Sequence, residues 1–225
     1  MNATVFRLKC LQLKVIYKTD VFTIEYDEKN EKLVQTVKKA LLENCQRVLD
    51  FWGIEKLENH PTVKIFSDYD EWIHFFETAS GNQYQDFVIG CAQGPNIFML
   101  AYDEYPKNPV HKNDSLEDFQ KVIVHEFVHI CHNQLGDDMS NYSFIMGEGL
   151  ATFLAGQSYN QNIKIDYPKD VLFSNEFFSV SNDLYSVSQK IVRKIADKVS
   201  REKLIEYALD YKKLYEDWDE LDIKE

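Results

Sequence analysis

The chain has 225 residues, of which 44% are hydrophobic and 28% are charged. This length is enough for a substantial core, and the composition is that of a globular protein. The formal net charge of −12 at pH 7 would repel nucleic acids and anionic membrane surfaces, so we expect neither as a partner. A peptide or protein substrate is compatible with this charge.

The four cysteines, Cys10, Cys45, Cys91 and Cys131, show no CxxC pairing and stand in apolar contexts. We predict that they are free buried thiols, which are typical of a reducing compartment. The first residues lack the unbroken apolar core of a signal peptide, and no segment approaches the length of a membrane span. These patterns predict a cytoplasmic protein.

Hydrophobic periodicity in the first half of the chain predicts a small twisted β-sheet with helices, as part of an α+β fold. Residues 11–26 alternate around Lys18-Thr-Asp20, which is typical of a β-hairpin. Helical spacing extends from Asn30 to about Trp52, and Gly53 would end that helix. Further elements are predicted in chain order: a strand at 61–66, a helix at 68–78, and strands at 87–92 and 96–101.

A buried helix is predicted next, because the residues after Ser115 are apolar around most of a helical circumference. Ser115 can cap its first turn, where Glu117 and Asp118 favour the positive end of the helix dipole. Gly136 is the expected stop.

Within this helix lies His125-Glu126-Phe-Val-His129, an HExxH motif. Its histidines are one turn apart, so both imidazoles can bind one metal ion at about 2.0–2.1 Å, the usual zinc–nitrogen distance. Glu126 can then reach the attacking water as a general base without binding the metal. Two core histidines bonded to backbone carbonyls are the alternative. His132 shares the face but lies one further turn along, so we exclude it as a ligand.

A catalytic zinc site needs a third protein ligand and an open position. Glu148 follows His129 after a gap of eighteen residues, within the predicted helix at residues 146–156. The glycines and alanines of this helix should let it pack closely on the HExxH helix, and its apolar residues argue against a solvated surface acid. We therefore predict a Zn²⁺ site formed by His125, His129 and Glu148.

The remainder is predicted to be mainly helical, with Asn182-Asp183 and Ser200 as N-caps. The acidic residues 216–225 are expected to fray. The chain accordingly divides into an α/β part, residues 1–112, and a helical part with the metal site, residues 113–225, which together form one catalytic unit.

His125-Glu126-x-x-His129, the eighteen-residue gap and Glu148-Gly-Leu-Ala together resemble the gluzincin peptidases, the superfamily of thermolysin and the M1-type aminopeptidases. The Glu-Gly-Leu-Ala-Thr-Phe-Leu-Ala-Gly run is most similar to the small peptidase-MA-like branch, and the motifs cover residues 121–156. The resemblance implies a zincin-like fold and zinc-dependent hydrolysis of peptide bonds, in which Glu126 takes a proton from water and passes it to the leaving amine.

The resemblance also implies two further roles. In such proteins the strand before the metal helix lies at the sheet edge and pairs with an extended substrate, which makes residues 96–100 the candidate; an internal strand without a ligand role is the alternative. Thermolysin-like enzymes stabilise the oxyanion with a downstream histidine, but no histidine follows His132. M1-type enzymes use a tyrosine, and we choose Tyr185, with Tyr159 and Tyr167 as competitors and core packing as the other reading of Tyr185.

The chain departs from the family pattern at two places. The Gly-x-Met-Glu-Asn motif that anchors the free amine in M1 aminopeptidases is missing, and Gly94-Pro-Asn-Ile-Phe-Met-Leu occupies the comparable region. Thermolysin-like sequences place an Asp four residues after the glutamate ligand to orient a ligand histidine, and Thr152 stands there instead. A catalytically impaired zinc protein acting as a binding or regulatory module is therefore the rival hypothesis, followed by zinc-dependent hydrolysis of a non-peptide amide.

Overall fold

The computed structural model describes residues 15–136, 143–181 and 183–223, which form an α+β fold with five strands and nine α-helices. The strands are β1 (Val15–Lys18), β2 (Thr23–Tyr26), β3 (Thr62–Phe66), β4 (Gly90–Gln93) and β5 (Asn96–Leu100). The helices are α1 (Glu31–Trp52), α2 (Tyr69–Ser80), α3 (Leu116–Leu135), α4 (Phe144–Ala155), α5 (Lys169–Leu172), α6 (Glu176–Val180), α7 (Leu184–Ala196), α8 (Arg201–Leu209) and α9 (Tyr211–Asp217).

The strands form one mixed sheet in the order β1-β2-β3-β5-β4. The antiparallel pairing of β1 with β2 confirms the predicted hairpin for the described residues, and its first predicted residues, 11–14, lie outside them. β3 is parallel to both β2 and β5, and β4 is antiparallel to β5. The long connections required by the parallel pairs carry α1 and α2.

The edge position of residues 96–100 was a wrong prediction, because β5 lies between β3 and β4. A tight turn at Gly94-Pro95, where Gly94 has φ 54°, folds the chain back so that β4 covers the outer side of β5. β4 is therefore the edge strand on this side of the described sheet. Sequence order alone could not show this, since a hairpin can place either of its strands inside.

Helices α1 and α3 pack together, and α3 joins the sheet to the helices of the second half of the chain. α1 ends at Gly53 as predicted, in the left-handed region at φ 68°. It packs against α3, which itself contacts β4, β5 and α4. A single cluster of buried hydrophobic residues draws on the sheet and on the helices of both predicted parts.

The small residues of α4 were predicted to allow close contact with α3, but Gly149 faces a different helix. A Cβ atom on Gly149 would lie 2.6 Å from the carbonyl oxygen of Ser188 and 2.6 Å from Cγ2 of Val192, both on α7. Helix α4 also contacts α3, but the atoms that lie nearest to the Cβ position of Gly149 belong to α7.

The helix caps in the last third of the chain follow the prediction. Asp183 accepts a hydrogen bond from the backbone of Ser186 at the start of α7, and Ser200 accepts one from Lys203 at the start of α8. Asn182 lies outside the described residues.

The prediction that residues 216–225 fray is wrong for their described part, 216–223. Trp218 and Ile223 are only 2% and 1% exposed, and the ring of Trp218 packs edge-on against Phe173 at 5.1 Å between centroids. These apolar side chains outweigh the acidic composition of the segment, because burying them stabilises the docked chain.

The described cysteines are all free thiols; Cys45 and Cys131 are buried, Cys91 is half-buried, and Cys10 lies outside the described residues. Among the described helices, none combines the length and the apolar character that crossing a membrane would require.

Candidate metal centre

The helix that carries the HExxH motif is held at its start by a reciprocal cap. The hydroxyl of Ser115 accepts a hydrogen bond from the backbone of Asp118, whose carboxylate in turn accepts from the backbone of Ser115. The helix ends after Leu135 as predicted, although Gly136 has φ −98° and not the left-handed conformation. The apolar face of α3 is buried in the core, which places His125 and Glu126 in the interior at 6% exposure each.

Glu148 on α4 meets both histidines of α3. Its Oε2 lies 3.1 Å from Nε2 of His125, and its Oε1 lies 3.4 Å from Nε2 of His129. The two Nε2 atoms are themselves 3.0 Å apart. The structure thus brings together the three residues predicted as ligands, and they form a group that could hold a metal ion.

The spacing of these donor atoms suits a small tetrahedral cation. Bonds of about 2.0–2.2 Å at the tetrahedral angle place neighbouring ligand atoms roughly 3.3–3.6 Å apart. The observed separations of 3.0, 3.1 and 3.4 Å are close to that range. Two imidazoles and one carboxylate are a donor set typical of catalytic zinc sites, so the residues present fit a divalent metal.

Gln157 fixes the orientation of the first histidine, a role that sequence reasoning missed. Nδ1 of His125 lies 2.8 Å from Oε1 of Gln157. Because an amide oxygen only accepts, Nδ1 carries the proton and the lone pair of Nε2 points to the metal position. Thr152, which stands at the family's usual orienting position, instead donates its hydroxyl to the carbonyl of Glu148 within its own helix at 2.7 Å.

The backbone around Gln157 is itself held in place. Gly156 ends α4 in the left-handed region at φ 67°, which turns the chain back toward α3. The backbone N–H of Gln157 donates to the carbonyl of Thr152 at 3.1 Å, and the fully buried Gln189 donates to the carbonyl of Gln157 at 3.0 Å. A helix-ending glycine followed by a polar residue was the sequence signal available for this role.

The electrostatics of the group favour an anionic Glu148. Burial raises the pKa of Glu148, but the charge of His129 and the hydrogen bonds of both histidines outweigh burial and hold this pKa well below its usual range. Burial lowers the pKa of His129, whereas the charge of Glu148 and a hydrogen bond to it raise the pKa to about 9. An ionised carboxylate is the form that binds a cation.

Glu126 lies beside the three ligands on the wall of the same cavity. Burial raises the pKa of Glu126, and the charges of His125 and His129 oppose this increase. A Cβ atom on Gly90 of β4 would lie 3.0 Å from Oε1 of Glu126, so a larger residue at this position would require the carboxylate to shift.

The cavity has a volume of about 640 Å³ and opens over the ligands. Its walls come from the segment before β4, from β4 itself, from α3 and from the start of α7. Cys91 contributes a thiol, but burial followed by the charge of Glu126 raises the pKa of Cys91 to about 12. The thiol is therefore protonated at neutral pH, and Cys91 is not part of the group of side chains that could hold a metal.

Tyr185 is the only one of the three tyrosines considered that lines this cavity among the described residues. Its ring centroid lies 6.3 Å from that of His125. Tyr159 packs on the guanidinium of Arg193 elsewhere, and Tyr167 packs on Phe177. The position of Tyr185 is compatible with the predicted oxyanion donor, whose role stays a prediction.

The other histidines near the motif have structural partners. His132 donates to the carbonyl of Ala208 at 3.0 Å and stacks on Trp52 with ring centroids 5.0 Å apart. Nδ1 of His111 lies 2.7 Å from Oδ2 of Asp114, and its Nε2 lies 3.1 Å from the carbonyl oxygen of Phe87. These contacts connect the loop before α3 to the cavity wall.

Comparison with known protein families, with curated proteins and with solved structures found no match to this chain.

Proposed function

We propose that the chain is a zincin-like, gluzincin-type zinc peptidase that hydrolyses peptide bonds. The observation that carries this proposal is the convergence of His125, His129 and Glu148 at separations of 3.0–3.4 Å, next to a further buried carboxylate in an open cavity. A structural metal has no use for an adjacent base, whereas hydrolysis requires one.

His125, His129 and Glu148 would hold the zinc ion, which when bound supplies polarisation of the scissile carbonyl and increases the acidity of water. Glu126 takes the proton from the attacking water and later passes it to the leaving amine. Its raised pKa supports this role, because a carboxyl group must both accept and release a proton near neutral pH. Gln157 keeps Nε2 of His125 available throughout.

The edge strand β4 provides a surface on which an extended substrate would align. The backbone N–H of Leu100 donates to the carbonyl of Ile89 at 2.9 Å, so the alternation of an antiparallel pair turns the backbone groups of Gly90 and Ala92 away from β5. These groups face the edge of the described sheet beside Glu126. We therefore assign to β4 the strand-pairing role expected of residues 96–100.

Glu126→Gln is the variant that tests the function. It keeps a side chain of the same shape beside the metal ligands but cannot accept a proton, so we expect metal binding to be retained and turnover to fall by about 10²–10⁴-fold. The measurement combines metal analysis of the purified protein with digestion of a broad peptide library, for wild type and variant.

A variant that cleaves at the wild-type rate would refute the assigned base. If the wild-type protein binds zinc stoichiometrically and cleaves no peptide in the library, the peptidase proposal is wrong and the binding or regulatory module is left. Glu117→Gln, an exposed change on the first turn of the same helix, is the matched control.

A further inference from the structure

One wall of the cavity is formed by aromatic side chains that are only partly covered. Phe178 on α6 is 47% exposed, which is unusual for so large an apolar residue. Its ring centroid lies 6.3 Å from that of Phe87, and the ring of Phe87 lies 5.9 Å from that of Tyr185. We call these three residues the aromatic wall. Tyr185 brings the wall up to His125, so it begins next to the metal position.

Outside the aromatic wall, the cavity combines apolar residues such as Phe76 and Val88 with polar side chains. Among the described residues that line it, the acidic ones are Glu126 and Glu148, and none is a lysine or an arginine. The other polar side chains away from the metal are amides, which both donate and accept hydrogen bonds. These amides belong to Asn82, Gln83, Gln85 and Asn133.

This distribution disfavours recognition of either end of a peptide. A free carboxylate would find no lysine or arginine among the described residues that line the cleft. The acidic residues of the lining that could pair with a free amine are Glu126 and Glu148, which in the proposed mechanism serve proton transfer and the metal. An uncharged internal segment of a peptide brings no ion into the cavity that would stay unpaired. Its backbone amides can form hydrogen bonds with the side-chain amides that line the cavity.

We propose that the cavity binds internal, uncharged segments of peptides and places an aromatic or large aliphatic side chain beside the scissile bond, against the aromatic wall. This inference rests on the proposed peptidase function and makes the enzyme an endopeptidase. Consecutive Cα atoms of a substrate are about 3.8 Å apart. The ring centroid of Tyr185, where the aromatic wall begins, lies 6.3 Å from that of His125, so the side chain of a residue next to the scissile bond can reach this wall. Covering Phe178 with an apolar side chain removes exposed apolar surface from water.

The experiment uses the full chain loaded with zinc and pairs of short synthetic peptides. The members of each pair have the same sequence, either with free ends or with an acetylated amino end and an amidated carboxyl end. The pairs differ in carrying phenylalanine, leucine, alanine or aspartate at one central position. We expect blocked peptides to be cleaved at least as fast as free ones, and cleavage to occur next to phenylalanine or leucine.

Phe178→Ser tests the wall separately from the metal. We expect kcat/KM for the phenylalanine peptide to fall by about 10-fold or more, with a much smaller effect on the alanine peptide and no change in zinc affinity. Val180→Ser is the matched control, because Val180 is 45% exposed on the same short helix but does not line the cavity. Its kcat/KM should stay within about twofold of the wild-type value.

The outcomes are distinguishable. Cleavage restricted to peptides with a free end would overturn the endopeptidase inference and leave the peptidase proposal standing. Cleavage of blocked peptides next to aspartate as readily as next to phenylalanine would overturn the role of the aromatic wall. Failure of the zinc-loaded chain to cleave any peptide, blocked or free, would overturn both proposals.

Discussion

At the scale of single residues, a neutral amide orients His125, the first of the potential metal ligands. Carboxylates and carbonyl groups commonly accept the second N–H of a ligand histidine, which fixes its tautomer and increases its basicity. Here Oε1 of Gln157 accepts from Nδ1 of His125 at 2.8 Å. An amide fixes the tautomer as a carboxylate would, but it adds no negative charge to the site.

We expect Gln157→Leu to weaken metal binding by about 10–100-fold, because Nδ1 of His125 loses the amide oxygen that holds the ring in its orientation. Zinc affinity is measured by competition with a chelator of known affinity. The control is Gln46→Leu, an exposed glutamine on α1 remote from the site. Equal zinc affinities in wild type and Gln157→Leu would contradict the positioning role.

Tyr185 gives a second prediction at this scale. If its hydroxyl stabilises the oxyanion, Tyr185→Phe should reduce kcat by about 10²–10³-fold while zinc affinity stays unchanged. Tyr159→Phe serves as the control, since Tyr159 packs near Arg193 and does not line the cavity. A wild-type rate for Tyr185→Phe would leave Tyr185 with only a packing role in the aromatic wall.

At the scale of elements, the third ligand depends on how α4 packs. Glu148 and Gly149 are adjacent on this helix, so the carboxylate of the potential metal group is next to a close contact with α7. The carbonyl oxygen of Ser188 lies 2.6 Å from the position that a Cβ atom of residue 149 would take, and backbone atoms of a packed helix cannot move aside alone.

We therefore expect Gly149→Ala to destabilise the protein by about 1–3 kcal/mol despite the better helix propensity of alanine. It should also weaken zinc binding, because displacement of α4 moves Glu148 away from the histidines. Urea unfolding and chelator competition measure the two effects.

Gly136→Ala is the matched control for this substitution. Gly136 has a negative φ, and its Cβ would make ordinary contacts at 3.5 and 3.8 Å. Its effect should be below about 1 kcal/mol. Similar stability losses in the two variants would show that the contact with α7 is not the cause.

At the scale of the whole molecule, His132 links three helices that are far apart in the sequence. Its ring stacks on Trp52 of α1 and donates to the carbonyl of Ala208 on α8. Burial, followed by the charge of His129, lowers the pKa of His132 to about 4. The folded protein therefore keeps this histidine neutral under conditions in which an unfolded chain would protonate it.

This difference predicts a loss of stability in mild acid. Because the folded pKa of about 4 is below the usual histidine pKa of 6.5, the unfolded state binds more protons between these two values. The free energy of unfolding should fall as the pH is lowered from about 6.5 toward about 4, by up to about 3 kcal/mol from this group. Above pH 6.5 the group should contribute no pH dependence.

His132→Gln isolates this effect, since glutamine retains a donor for Ala208 but does not titrate. We expect a shallower decline in unfolding free energy between pH 6.5 and 4 than in wild type, measured by urea unfolding at each pH. His74→Gln, on the exposed surface of α2, is the control and should follow the wild-type curve. Parallel curves for His132→Gln and wild type would refute the proton linkage.

Much of the local architecture was predictable because its signals are close together in the chain. The helix from Glu31 to Trp52, the capped helix from Leu116 to Leu135 and the N-caps at Asp183 and Ser200 all appear as predicted. In each case a cap residue and a 3.6-residue period specify the element without reference to distant residues.

By itself the sequence determined the potential metal ligands, since the helical period places His125 and His129 on one face whatever surrounds them. Only the tertiary structure decided that β4 and not β5 lies at the edge, and that Gln157, thirty-two residues away, orients His125. It likewise decided that Phe178 faces the cavity. These features depend on strand order and on contacts between distant segments, which are set by packing of the whole core and leave no periodic signal in the chain.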